Sequence, residues 1–495
     1  MHSDTEPGGP IVSATSAPPT TEPRPLLVAG VATEGSDRQP VVYPHDGSEI
    51  GSVWLASDEI VERALAAATA AEPEVAALPP YRRAEILKRA AALVTERGPE
   101  LSRQMTLESG LAIRDSHGEV ERTAEIFEIA GEEARNSAAA GDVVPIDAVA
   151  RGHGRIGMTK RFPIGTVLGI TAYNAPLLLV AHKIAPALAA GCPCIVKPAP
   201  KTPLSALSIG EIMLEAGVPP AALSVLPATN KMAEKMVRDP RVKMLSFTGS
   251  ASVGWYLRDV AATPHVTLEL GGNGAVIIHD DADLDYAAAR CAMGAFLRGG
   301  QACISVQRLY VQESVFDAFR ERFVARVAEL QAGDPLDEAT ALGGLVNEAA
   351  ADRTMGLIDD AKASGATVLH GGVRRGAVVE PTVLSGIADD VRVCAEEAFS
   401  PIVVLLPYRD LDDVLDRVND SPYGLQAGLF SRDVRVIYEA FERLEVGALI
   451  VNDVNSFRVD QMPYGGAKQS GLGREGMRYA IREMTAERLL VLDPR

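Results

Sequence analysis

Between Arg298 and Arg308 the chain reads RGGQACISVQR, which places Cys303 behind two glycines and a glutamine and ahead of an apolar run. Glycines let a backbone approach a ligand closely and leave its amides free to donate. A cysteine nucleophile needs such a setting, because its own N–H can then stabilise an oxyanion on the carbonyl it attacks. Taken alone, the stretch suits a small buried thiol equally well. Glu269 adds to the case. It lies in TLELGGNG, inside an apolar strand-like run and just before two glycines. A carboxylate there is costly unless paired or functional, and burial would raise its pKa into the range of a general base. The alternative is a structural carboxylate that accepts backbone N–H bonds. Asn174, in TAYNAPLLL, stands at a strand end before a proline-started helix. Its amide suits either a developing oxyanion or a turn or helix cap.

The elements that must position these residues follow from periodicity. ASDEIVERALAAATAA reads as a helix capped by Ser57 or Asp58. YRRAEILKRAAALVTERGPELSRQMTLESG reads as continuing helix with Gly110 as its stop, and GEVERTAEIFEIAGEEARNSAA as another amphipathic helix. From Ile164 onward, short apolar runs (GTVLGITAY, CPCIVKPAP, LSVLPAT, VKMLSFTGS, VTLELGG) alternate with helical stretches. That is the pattern of a parallel sheet with crossover helices, which binds ligands at the carboxyl ends of its strands. A second alternating region runs from AVIIHDD to GALIVND, and the final apolar run, Leu489 to Leu492, needs a pairing partner.

Bulk properties narrow the class. The 495 residues carry a formal charge of −18, which argues against nucleic-acid binding. No run is long and apolar enough for a membrane span. Residues 1–25, rich in Pro, Ser and Thr, read as a disordered tail without the features of a secretory signal. The five cysteines, odd in number and scattered, suggest a reducing cytoplasm rather than a disulfide framework. Cys192 and Cys194 form a C-P-C without a second ligand pair, so no metal site is expected.

The motifs AYNAP, GCPCIVKPAPKTPLSA, SFTGSASVG, TLELGGN, GGQAC, EEAFSPI and MPYGGAKQSGLGREG occur in an order that resembles the aldehyde dehydrogenase superfamily, from about Leu26 to the C-terminus. The resemblance implies a Rossmann-type cofactor domain (26–144 and 163–272), an α/β catalytic domain (273–464) and a small β oligomerisation arm (145–162 and 474–495). It implies Cys303 as the nucleophile, Glu269 as the base for deacylation, and Asn174 as half of an oxyanion hole. Lys197, Pro200, Thr248, Gly249, Ser250, Gly254, Leu270, Glu397 and Phe399 would then contact NAD. Many NAD-preferring relatives carry glutamate where Pro200 stands, so NADP is also admitted. Tyr173, Gln301 and three arginines, Arg122, Arg298 and Arg458, fall where substrate contacts are expected. Together those arginines would clamp an anionic group, phosphate or phosphonate, although a surface salt bridge is the ordinary role of each. The texture resembles the branch of lactaldehyde, non-phosphorylating glyceraldehyde-3-phosphate and phosphonoacetaldehyde dehydrogenases. A homodimer or homotetramer is the implied assembly. Two other readings stand beside this one: a CoA-acylating semialdehyde dehydrogenase, against which Glu269 argues, and a non-catalytic protein that kept the fold.

Overall fold

The alternating apolar runs lie side by side as a parallel sheet in the computed structural model, which describes residues 22–136 and 140–494. Its core strands are Val167–Ile170, Cys194–Lys197, Leu223–Val225, Met244–Thr248 and Val266–Glu269, in the spatial order third, second, first, fourth, fifth. The first two are buried at every residue, which is why they read as continuous apolar runs without alternation. Order reverses between Val167–Ile170 and Met244–Thr248, neighbours in parallel register. A crevice opens at such a switch point, beyond the carboxyl ends of the two strands. Leu26–Val28 and Gly471–Leu472 extend the sheet with antiparallel partners on its two sides.

A helical layer covers this sheet. The Ser57 hydroxyl accepts from the Ile60 N–H, 3.3 Å away, and starts the helix Asp58–Ala77. The stretch expected to continue as helix breaks at Arg97 into Pro80–Glu96 and Gly98–Ser109. Pro99 explains the break, since a residue without an N–H is tolerated only in a helix's first turn. Gly110 ends the second piece with φ +77°. The helix Ile113–Asn136 then packs on Pro176–Ala190, whose every residue is buried.

Two carboxylates of this layer close helix ends that would otherwise carry orphan N–H groups. Glu108 accepts from the N–H groups of Leu204 and Ser205, both at 2.9 Å, where the helix Pro203–Ala216 begins. Glu119 accepts from Leu177 and Leu178, at 2.9 and 3.1 Å, where Pro176–Ala190 begins.

A second sheet has seven strands, in the order Thr367–His370, Thr382–Ser385, Ile402–Tyr408, Val306–Gln312, Gly274–Ile278, Gln426–Phe430 and Ala448–Val451. All neighbours are parallel except the first pair. Thr485–Leu492 finds its partner in Ile156–Pro163, antiparallel over eight residues, with Val143–Val144 as a third strand. Residues 1–21 of the expected tail lie outside the described residues. The tail's end needs correction, because order begins before Leu26. The Arg24 N–H donates to the Ser52 carbonyl at 2.8 Å, and its guanidinium pairs with Glu211 at 2.7 Å.

Replacing Glu108 by alanine leaves two buried N–H groups without an acceptor. Glu108→Ala should lower unfolding stability in urea by about 1–3 kcal/mol.

Candidate active site

The chain passes from the first sheet to the second through Gly271, Gly272 and Asn273, and the reactive residues gather on that crossing. A Cβ on Gly272 would lie 2.2 Å from the Cys303 carbonyl oxygen, so the crossing strand and the cysteine loop touch backbone to backbone. The loop itself turns through three left-handed residues, Arg298, Gly299 and Gly300, with φ of 55°, 63° and 73°. At Gly300 a Cβ would fall 2.1 Å from the Ser400 carbonyl. This tight path brings Cys303 up at the start of the strand Val306–Gln312, half-buried, while the other four cysteines are fully buried. Its sulfur lies 3.1 Å from the Tyr464 hydroxyl. Burial pushes the thiol up to about 11, and the Tyr464 hydrogen bond draws it back in part.

Glu269 ends the strand Val266–Glu269, buried at 5% exposure, and neither carboxylate oxygen has a hydrogen-bond partner among the described residues. It therefore does not act as an acceptor for backbone N–H groups. Burial first, and the charge of Glu475 second, hold its pKa well above the ordinary carboxylate range. The Asn174 amide donates to the Gln301 carbonyl at 3.0 Å, which sets it beside the segment that leads into Cys303.

The switch-point side of the crevice is built for an anion. The helix Ala251–Val260 starts at Ser250 without a side-chain cap. By contrast, Pro176–Ala190 and Pro203–Ala216 are closed by Glu119 and Glu108, and Asn230–Val237 by Thr229. Free N–H groups at a helix start suit a pyrophosphate. Gly249 and Gly254 allow close packing around this helix start: a Cβ on either would collide, at 2.6 Å with the Phe247 ring and at 2.4 Å with Leu270. The Thr248 hydroxyl is buried without a partner. Lys197 ends its strand buried, and desolvation alone lowers it to about 8. Glu397 accepts from the Gly272 N–H at 2.9 Å, and burial raises it to about 7. Phe399, at φ +47°, meets Tyr173 edge to face with ring centres 6.0 Å apart. Pro200 is exposed and offers only its carbonyl, which accepts from Gln39 at 2.5 Å. An uncapped helix start, a buried lysine without a partner among the described residues and the buried Glu397 carboxylate fit a dinucleotide.

Comparison with known proteins decides the family. Residues 31–489 match the model of the aldehyde dehydrogenase family. The chain belongs to the aldehyde dehydrogenase family. It is 40% identical over 469 residues to a 3-sulfolactaldehyde dehydrogenase of Priestia megaterium, a match covering 94% of this chain and 98% of that one. The crystal structure of aldehyde dehydrogenase 21 from Physcomitrella patens, in complex with the reaction product succinate, superposes with a TM-score of 0.93 at 40% identity, covering 95% and 99% of the two chains. Glyceraldehyde-3-phosphate dehydrogenase GapN from Methanocaldococcus jannaschii, complexed with NADP, gives a TM-score of 0.88 at 33% identity over 92% and 99%. This aldehyde dehydrogenase is thus an NAD(P)-dependent oxidoreductase.

Two of the expected substrate contacts are corrected by the geometry. Arg298 does not face open cleft: its guanidinium pairs with the buried Glu119 and donates to the Asn174 carbonyl at 2.8 Å. Gln301 is 2% exposed, and its side chain accepts from the Val346 N–H at 3.0 Å, bracing the loop from behind. The other two arginines are also paired, so no free three-arginine clamp exists. Arg122 binds both oxygens of Asp460 at 2.8 Å, and Arg458 reaches Glu475 at 3.1 Å.

These pairs belong to a buried cluster that sequence reasoning missed. Lys183 meets Glu475 at 2.7 Å, and His182 sits 3.1 Å from Asp460 and 3.4 Å from Glu475. Burial, then the charge of Arg458, lowers the His182 pKa, while Glu475 and Asp460 oppose the shift. The signal was present: His182 and Lys183 are the two polar side chains in the otherwise apolar helix PLLLVAHKIAPALAA.

Removing the Arg298 charge strands Glu119 in the interior. Arg298→Met should cost about 3–5 kcal/mol in chemical unfolding. It should also lower kcat/KM for charged and neutral aldehydes by one common factor, as expected of a residue that holds Asn174 and does not touch substrate.

Proposed function

We propose that this enzyme oxidises a small aldehyde bearing an anionic group to its carboxylate, through a Cys303 thioester that water cleaves with Glu269 as base. The observation that carries the anionic preference is the charge balance of the cluster beside Cys303. Arg122, Arg458 and Lys183 gather on two carboxylates, Glu475 and Asp460, while burial disfavours the charged forms of Glu269 and His182. Fixed cations therefore outnumber their carboxylate partners in a buried pocket, although the whole chain is acidic. Arg458 Nε lies 3.6 Å from Asp460 and makes no hydrogen bond among the described residues, which leaves donor capacity for a carboxylate, sulfonate, phosphonate or phosphate. The names and contents of the three similar proteins fall in that class.

In the reading we favour, the Cys303 thiolate adds to the aldehyde carbon and the carbonyl oxygen takes up the charge. Two donors meet that oxygen: the Cys303 N–H and the Asn174 amide. Asn174 spends one N–H on Gln301 and has a second to give. NAD(P), when bound, accepts the hydride; Lys197, Thr248, Gly249, Ser250, Gly254, Leu270, Glu397 and Phe399 would hold it. NAD is the expected first cofactor, and NADP is admitted because Pro200 offers no carboxylate against a 2′-phosphate. Glu269 then takes a proton from the water that attacks the thioester. With no hydrogen bond to give up, it is free to hold that water.

The division into a cofactor domain (26–144, 163–272), a catalytic domain (273–464) and an arm (145–162, 474–495) is supported by the backbone crossing at Gly271–Asn273, which separates the two large sheets. A homodimer or homotetramer is supported by the exposure of Leu489, Leu490, Val491 and Leu492 on the arm and of Val434, Tyr438 and Phe441 on one helix. Five free cysteines suit a reducing cytoplasm.

The test is formation of reduced cofactor without CoA, across sulfonate-, phosphonate- and carboxylate-bearing aldehydes, propanal and a quaternary-ammonium aldehyde. The anionic set should win in kcat/KM by about ten-fold or more, roughly 1.4 kcal/mol, and Arg458→Met should erase the gap. Equal rates for neutral or cationic aldehydes would sink the anionic reading, and a requirement for CoA would sink the hydrolytic one.

pH adds a second check. Glu269 serves as base only when deprotonated, and its folded-state pKa is raised. Deacylation should therefore rise with pH through a midpoint well above the ordinary carboxylate range. Glu269→Gln should give a first burst of reduced cofactor and then stall, without that limb.

A further inference from the structure

Cys303 faces an electrostatic difficulty. Burial disfavours its thiolate and the Glu397 carboxylate disfavours it further, while the Arg458 charge relieves it only in part. Thiolates are usually stabilised by a neighbouring imidazolium or ammonium, or by a helix start. None of these is within hydrogen-bond distance of the sulfur among the described residues; the one side-chain partner there is the Tyr464 hydroxyl, at 3.1 Å. Tyr464 is 2% exposed, and its hydroxyl has no other partner among the described residues. A thiolate has no proton, so in that state the phenol must be the donor. The Arg458 guanidinium lies 3.5 Å from the centre of the Tyr464 ring, a cation–π stack. Arg458 is fixed in turn by Glu475 at 3.1 Å and Asp460 at 3.6 Å. A cation held over the ring favours electron density withdrawn from the oxygen, which makes the hydroxyl a stronger donor.

We propose that Tyr464 is a positioning residue that holds Cys303 in its thiolate form by donating its phenolic hydrogen to the sulfur, strengthened by Arg458 stacked on its ring. This rests on the reading of Cys303 as the nucleophile and adds the group that makes it competent. No proton is transferred and no bond is made by Tyr464. Its hydrogen bond is strongest when sulfur carries charge, before attack on the aldehyde and again when sulfur leaves the thioester. It slackens while sulfur is bonded to carbon. One donor therefore favours both the start of acylation and the end of deacylation.

The experiment is the pH dependence of carbamidomethylation by iodoacetamide, followed by mass spectrometry on the peptide that contains Cys303. The native enzyme is compared with Tyr464→Phe, which keeps the ring under Arg458 and removes only the hydroxyl. Losing the donor removes a stabiliser of the thiolate, so the labelling curve should move to higher pH. At pH 8 the rate should fall about ten-fold, a shift of roughly one pKa unit. The value of kcat should fall for anionic and neutral aldehydes alike with KM little changed. Replacing Tyr464 by 3-fluorotyrosine, a more acidic phenol of nearly the same shape, should move the curve to lower pH. It also decides the matter if Tyr464→Phe does not fold. An unshifted curve in either variant overturns the proposal. Cys303→Ala keeps the two readings apart: if that variant still oxidises aldehyde, the nucleophile assignment fails. If it is inactive and the Tyr464 curves do not move, only the role of Tyr464 fails.

Discussion

The charge cluster around Glu475 is the constraint on which the rest of the site depends. Its carboxylate is buried, which opposes ionisation, yet the charges of Lys183 and Arg458 hold it well below the usual range. Those partners come from the most deeply buried helix, Pro176–Ala190, and from the loop ahead of Tyr464. Breaking one member of such a set leaves an uncompensated charge in the interior, whereas the intact set contributes little net stability. Its value is geometric. It ties the helical layer over the first sheet to the loop that brings Tyr464 against Cys303, and its carboxylate charge raises Glu269 from a distance.

A second pair does comparable work on the other side of the cysteine. Glu119 caps the helix that follows Asn174 and at the same time neutralises Arg298, whose guanidinium also grips the Asn174 carbonyl. Arg298 holds a left-handed backbone, φ 55°, a conformation that costs a non-glycine residue about 1–3 kcal/mol. The ion pair offsets that strain. Oxyanion donor, helix start and cysteine loop are thus fixed by one carboxylate, itself carried on the helix Ile113–Asn136.

Much of this was legible in the sequence because the fold obeys local rules. The strands of the first sheet are short apolar runs ended by Gly, Pro, Asn or Thr, and the Ser57 and Gly110 helix signals fall where the caps lie. Cys303, Glu269 and Asn174 were visible because each sits in a setting that makes a bland role expensive or strained. Arg122 and Arg298 were less legible for the opposite reason. A guanidinium advertises anion binding in any context, and only the distant partners Glu119 and Asp460, 179 and 338 residues away, reveal what it binds. Gln301 misled similarly, since its proximity to Cys303 in sequence says nothing about a side chain turned back to Val346. Tyr464 went unremarked inside a glycine-rich motif whose aromatic member reads as packing until the sulfur is found beside it.

The separation of these two struts bears on how such an enzyme can change over generations. Glu119 and Arg298 lie within the interior beside Asn174 and the cysteine loop, whereas Arg122, a quarter exposed, reaches the buried Asp460 from the solvent side. Asp460 keeps His182 and Arg458 beside it if Arg122 changes, whereas Glu119 loses its ion pair if Arg298 changes. Of the two struts, the outer arginine is therefore the member that can be exchanged at the lower cost.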